Sequence, residues 1–347
     1  MSATDSLLGG LRRARRAPEG RSLVRELAPA AYRGRQWLFL AGVMVVGVIV
    51  PFVFGGDAYT DGLLNQVLIN AILAFGFYWC FSLGGQFTFG VFAMYACGAY
   101  VSVWGSKHLP GGFWAGFLLA VLVTALIGAA TRLVFYRLGP IFFAIATMAV
   151  GGLMLIVFRE WTSLTGGYYG VGSFPKPDVF GFTLNTLQLR YFLMLGILGL
   201  LLAATIAVIR SSSMRDLVFT RDRRFVAATT GVRTTWVLLV AFIVGSAIQG
   251  AAGSLYAHNS SYFSLEAFDI SISLNVLLMV LLGGVRSIYG PLIGAALLIL
   301  LPEFLRDYQK YSDLIYAGVV LAIVVLFPDG IAGIRGIAQG WLRARRR

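Results

Sequence analysis

The chain has 347 residues, 58% of them hydrophobic and only 12% charged. Soluble domains run at about 45–50% apolar and about 25% charged, so this composition argues against a soluble enzyme or binding module and for an integral membrane protein. The net charge of +13 rests on arginines in flanks and loops, which suits the positive-inside rule better than nucleic-acid binding.

In chain order, a basic segment comes first. Residues 1–36 carry Arg12, Arg13, Arg15, Arg16, Arg21, Arg25, Arg33 and Arg35. That is long for the leading region of a secretory signal, and the apolar run after it lacks a small-residue exit. It reads as a retained first helix. Helices that cross a membrane need about 20 apolar residues, and the long continuous runs here do not suit a barrel. Ten spans are expected, near 37–54, 63–83, 87–105, 112–132, 139–158, 191–209, 235–256, 270–285, 289–303 and 313–328. The last short ones are candidates to merge or re-enter. An all-α polytopic membrane protein follows, with some spans short or broken.

Charge assigns sides. Loop 55–62, GGDAYTDG, has acids and no base, which suits the outside. Arg132 and Arg137 mark an inner turn. Segment 159–190 has few bases for its length and suits the outside. Segment 210–234 carries Arg210, Arg215, Arg221, Arg223, Arg224 and Arg233 and belongs inside, as does the tail WLRARRR. Ten spans then place both termini in the cytoplasm.

Few motifs of chemistry survive inspection. Residues 82–86 read SLGGQ, one transposition from the LSGGQ signature of ABC-type ATPases. No GxxxxGK[ST] phosphate cradle exists, and SLGGQ sits between two apolar runs, so ATP hydrolysis is not expected here. GxSxG, HExxH and CxxC are also missing. Cys80 and Cys97 lie in apolar runs as small hydrophobes, and two distant histidines, His108 and His258, make no metal site. Enzyme activity, metal and cofactor are all unexpected.

No Asp, Glu, Lys, Arg or His falls near the centre of a span, which argues against a proton-coupled carrier. Neutral polar residues do occur there: Asn65, Gln66, Asn70, Thr124, Thr147, Ser246, Gln249, Ser271, Ser273 and Asn275. They read either as interhelical hydrogen bonds or as a weakly polar path; Asn70, Thr147, Gln249 and Asn275 are the path candidates. Glycine is abundant at 42 residues, and Pro291 and Pro302 bracket one short span. Both features suit close packing or discontinuous helices. The segment RDLVFTRDRRFVAATTGV can form an amphipathic helix, to lie on anionic lipid or to dock in a partner's groove.

Several stretches together resemble the LivM-like branch of ABC importer permeases of the branched-chain amino acid type. GGQFTFGVFAMYACGAY at 84–100 is similar to the family's GQLSLGQAAFFGIGAY pattern. LTGGYYGVGSFPKP, ending at residue 177, resembles LTGGxxGLxGIPxP. GSLYAHNSSYFSLEAF at 253–268 and SLNVLLMVLLGGVRSIYGPLIGAALLILLPEFLR at 273–306 resemble its most characteristic half. The shared motif positions include Gly85, Gln86, Gly90, Gly166, Gly167, Gly283, Gly284, Gly290 and Pro291.

The resemblance implies a permease domain at 37–330 between the basic segment 1–36 and a basic tail at 331–347. It implies a second, LivH-like permease, cytoplasmic ATP-binding subunits and an external solute-binding protein as partners, with membrane lipid and no nucleic acid. The family's inner loop, roughly GRALRAIREDExAAxALGI, falls on 214–232. That carries an ATPase-coupling role onto loop 211–233, with Arg215, Leu217, Arg221, Asp222, Arg224, Ala227 and Gly231 as its residues. The loop's acidic run is here Asp222, Arg223 and Arg224, so its charge partly reverses. Val91 stands for a glutamine, Thr88 for a serine, Arg286 for a glycine and Leu265 for a proline, and Tyr168 and Tyr169 fill a variable pair. These departures leave the solute open among branched-chain amino acids, urea, short amides and carboxylic acids. The expected function is ATP-driven import of such a solute across the bacterial plasma membrane. A secondary carrier or channel working without an ATPase is the alternative.

Overall fold

The computed structural model describes residues 32–172, 174–179, 182–184, 186–209, 217, 221, 234–260, 262–305, 312–326, 330 and 331. The chain divides into two units, Met1–Val46 and Gly47–Arg347. In the first, the described residues are the start of one apolar helix, α1 (Tyr32–Phe54), which carries the boundary.

In the second unit the helices follow as α2 (Ala58–Tyr78), α3 (Val91–His108), α4 (Gly112–Val134), α5 (Pro140–Glu160), α6 (Leu187–Ile209), α7 (Thr234–Asn259), α8 (Ile270–Gly283), α9 (Gly290–Phe304) and α10 (Ser312–Leu326). Among the described residues, seven helices are long and apolar enough to cross a membrane. Helix α8 counts among the seven through its run-in from Leu265, as Leu265–Gly283. Helices α9 and α10 have 15 residues each and, at a rise of about 1.5 Å per residue, fall short of the roughly 30 Å hydrocarbon core. The runs near 270–303 stay two helices joined by a turn. Pro291 lies in the first turn of α9, where its missing N–H costs no helical bond.

Helix α4 shows how residue choice builds the bundle. Phe113, Gly116, Ala120, Thr124, Gly128 and Thr131 recur at helical spacing and are buried. Leu118, Leu122 and Leu126, four residues apart, form an outward stripe, as a lipid-facing surface requires. The buried stripe is made of small residues, so neighbouring backbones come close. Helix α7 packs against α2, α3 and α4 and forms the centre with α2, while α8 and α9 pack on α2 from another side. One tight crossing joins α3 and α7. A Cβ added at Gly98 would stand 2.2 Å from the Gly250 carbonyl oxygen, so the two helices touch backbone to backbone.

Short strands close one end. β1 (Val171–Gly172) pairs antiparallel with β4 (Tyr262–Phe263), and β2 (Asp178–Val179) pairs with β3 (Phe182–Thr183). His258 ties this end to the bundle: one ring nitrogen lies 3.1 Å from the Ser102 hydroxyl and the other 2.9 Å from the Pro175 carbonyl. Arg190 donates to the Leu184 and Asn259 carbonyls there.

Candidate functional site

The stretch containing SLGGQ is where the helical pattern breaks. After α2 the backbone widens into a π-helical turn, Trp79–Leu83, with Gly84 N donating to the Trp79 carbonyl at 3.0 Å. Such turns are rare and gather at functional sites. Residues 84–90 then run without regular structure to the start of α3. Gly85 takes a left-handed conformation, φ +62°, which favours glycine. Gly84 and Gly90 have negative φ, so of the three glycines in this stretch only Gly85 needs the left-handed region. Gly90 serves closeness instead: a Cβ there would sit 3.0 Å from the Thr147 carbonyl oxygen.

A non-helical strap inside a bundle must satisfy its backbone groups locally. Hydroxyls from two other helices do this. Phe89 N donates to Thr147 Oγ1 of α5 at 3.2 Å, and Ser273 Oγ of α8 donates to the Phe89 carbonyl at 2.8 Å. Phe92 N, in the first turn of α3, donates to Ser273 Oγ at 3.2 Å. Gly90 N donates to the strap's own Thr88 Oγ1 at 3.2 Å. Gln86 Nε2 donates to the Leu238 carbonyl of α7 at 2.7 Å. The strap thus joins α3, α5, α7 and α8.

A cleft opens beside it, with about 260 Å³ of space between atoms, part of it open to the outside. Thr88 and Gly90 of the strap line it, with Thr147 and Val150 of α5 and Phe242 and Gln249 of α7. Met94, Met154 and Thr131 complete much of its wall, and no acidic or basic side chain is among the lining residues. Its walls stand so close that roughly one water fits between them. Gln249 is 2% exposed, and its amide nitrogen has no hydrogen-bond partner among the described residues.

The expected path residues therefore divide. Thr147 and Gln249 meet at this cleft. Asn70 donates within its own helix to the Gln66 carbonyl, and Asn275 is exposed on α8; neither lines the cleft. The other motif glycines mark turns. Gly166 and Gly167 both have positive φ beside β1, while Gly283, Gly284, Gly290 and Pro291 build the α8–α9 turn. Thr88, noted in the sequence only as a departure from the family's serine, proves central; a hydroxyl two residues before a helix that starts on glycine is its signal. Ser273, one of the polar residues expected at depth, makes interhelical hydrogen bonds to the strap and to α3.

Of the expected coupling residues, Leu217 and Arg221 are described. Leu217 is buried. The Arg221 guanidinium donates to the Ser82 carbonyl of the π-helical turn, and its stem covers Gly85, where an added Cβ would stand 3.1 Å from Arg221 Cγ. Arg215, Asp222, Arg224, Ala227 and Gly231 lie outside the described residues.

Residues 59–327 match the family model described as "Branched-chain amino acid transport system / permease component". The chain belongs to that permease family. It is 28% identical to the high-affinity branched-chain amino acid transport system permease protein LivM of Salmonella typhimurium over 320 residues, 86% of this chain and 75% of that protein. Escherichia coli LivM matches to the same extent. LivH of Salmonella typhimurium is 24% identical over 304 residues, 79% of this chain and 96% of that one. No solved structure matches. The protein is accordingly an ABC importer permease and a multi-pass plasma-membrane protein, not an enzyme; ATP hydrolysis belongs to a separate subunit. The carrier-or-channel alternative gives way to this membership.

Proposed function

We propose that this permease imports a branched-chain amino acid or a related small polar solute by ATP-driven alternating access. The supporting observation is its similarity to both LivM and LivH, two permease proteins named for one transport system. Its working complex pairs it with a LivH-like permease, cytoplasmic ATP-binding subunits and an external solute-binding protein. Both termini face the cytoplasm in this reading, as the arginine distribution favours, and the basic ends at 1–36 and 331–347 suit anionic lipid.

Coupling runs through loop 211–233, with Arg215, Leu217, Arg221, Asp222, Arg224, Ala227 and Gly231 facing or steadying the ATPase contact. Arg221 supports the assignment, because it links that loop to the strap bordering the cleft. Thr147 and Gln249 belong to the solute path. Asn275, polar and exposed on an apolar helix, suits a face covered by the second permease, since polar groups are costly against lipid.

Uptake of radiolabelled leucine into proteoliposomes holding the complete complex, with the solute-binding protein outside and ATP inside, tests the reading. Saturable accumulation is expected. A complete complex that accumulates neither leucine nor any other small amino acid, amide or carboxylic acid defeats it.

A further inference from the structure

Three observations converge on the cleft. First, the N-terminus of α3, an 18-residue helix, is buried beside it: Gly90 is its cap and Met94 lines the wall. A helix N-terminus carries partial positive charge and favours an anion. Second, Gln249 lines the same cleft, almost wholly buried, with an amide nitrogen that bonds to no described residue. An unmet donor in the interior carries a desolvation cost that a ligand oxygen removes. Third, Thr88 Oγ1 accepts from Gly90 N, but its own O–H donates to no described acceptor. Thr131 and Thr147 differ, since their hydroxyls already donate to the Ile127 and Ala144 carbonyls at 2.8 Å.

The unmet groups include two donors, the Gln249 amide N–H and the Thr88 O–H; no carboxylate faces them, and Met94, Val150, Met154 and Phe242 supply an apolar side. That combination fits a small solute with an oxygen anion at one end and a hydrocarbon body at the other. We propose that the α3 N-terminus, the Thr88 hydroxyl and the Gln249 amide receive the carboxylate of the transported solute. The walls now stand too close for it, so the site fills when α5 parts from α3 and α7. Helix α5 is suited to move: 28% of its span is buried, against 72% for α7. Broken helices whose N-termini meet anionic solutes inside the membrane are a recurrent transporter device. The inference rests on the import reading above and adds the group that recognises the solute.

The test uses the reconstituted full complex with leucine as probe. Gln249→Met keeps volume and removes the donor. It should lower leucine uptake about tenfold or more, the worth of one hydrogen bond to a charged group. ATP hydrolysis stimulated by loaded binding protein should stay within about twofold, since the coupling contact is untouched. Gln249→Glu, setting a carboxylate against a carboxylate, should lose more. Thr88→Val provides a second variant, expected to fall in the same direction. Co-purification of all subunits checks assembly. Uptake unchanged in both Gln249→Met and Thr88→Val overturns the proposal, as does a proportional fall of uptake and ATP hydrolysis, which marks a merely structural role. A wild-type complex that imports no leucine defeats the import reading instead.

Discussion

Arg221 donates a hydrogen bond to the carbonyl oxygen of Ser82. The contact joins a loop rich in arginine to the π-helical turn that opens the strap. From Ser82 the chain needs only a few residues to reach Thr88 and Gly90 at the cleft. In the coupling role proposed above, a push on the loop passes through this hydrogen bond and then along a few residues of backbone pinned by hydroxyls from α5 and α8.

Replacing Arg221 with alanine removes that link but leaves the loop in place. Leucine uptake by the complex should fall about tenfold, while the ATP-binding subunit still co-purifies, because the lost bond is internal to the permease. Arg224→Glu should do the reverse if that side chain faces the partner, weakening co-purification first. Matched pull-down and uptake measurements separate the two, and equal effects from both variants would contradict this division.

Ser273 both donates to Phe89 O and accepts from Phe92 N. Ser273→Ala leaves both backbone groups without that partner in the interior. The variant should lose about 1–3 kcal/mol, the usual cost of an unmet buried group. A lower thermal midpoint of the detergent-purified permease checks it, and an unchanged midpoint would show that water replaces the hydroxyl.

Gly98 meets the Gly250 backbone across α3 and α7. Gly98→Val should cost about 1–3 kcal/mol or more by forcing the helices apart. Gly196→Ala serves as the control: no atom lies within 4 Å of the added Cβ, and alanine favours a helix over glycine by about 0.5–1 kcal/mol. Thermal unfolding of the two variants should move in opposite directions.

Gly85 adopts φ +62° against the Arg221 stem. Gly85→Ala should strain the turn by about 1–2 kcal/mol and crowd the arginine. Uptake should fall more than thermal stability, since the strain lies in the linking turn rather than the core.

Much of this fold is legible in the sequence because the bilayer demands long apolar runs. The stripe from Phe113 to Thr131, small residues inside and leucines outside, follows directly from helical period. The ends of spans are less legible. The run expected at 63–83 begins at Ala58 and ends in a π-helical turn that no local propensity marks. The span expected at 87–105 starts instead at Val91, because hydroxyls distant in sequence satisfy the strap before it. For the site, two of the residues that polarity at depth singles out, Thr147 and Gln249, line one cleft. Polarity cannot separate them from Asn70 and Asn275, since which face a polar residue takes depends on packing between helices far apart in the chain. SLGGQ is the sharpest lesson. As letters it suggests an ATPase; as backbone it is a break in a membrane helix, contacted by the loop expected to meet the ATPase.

The most direct measurement is uptake in proteoliposomes whose partner ATPase carries a disabled catalytic residue, compared with the intact complex. The expected result is that uptake stops while the subunits remain assembled. Uptake that continues on an ion gradient alone would contradict ATP-driven import through this permease.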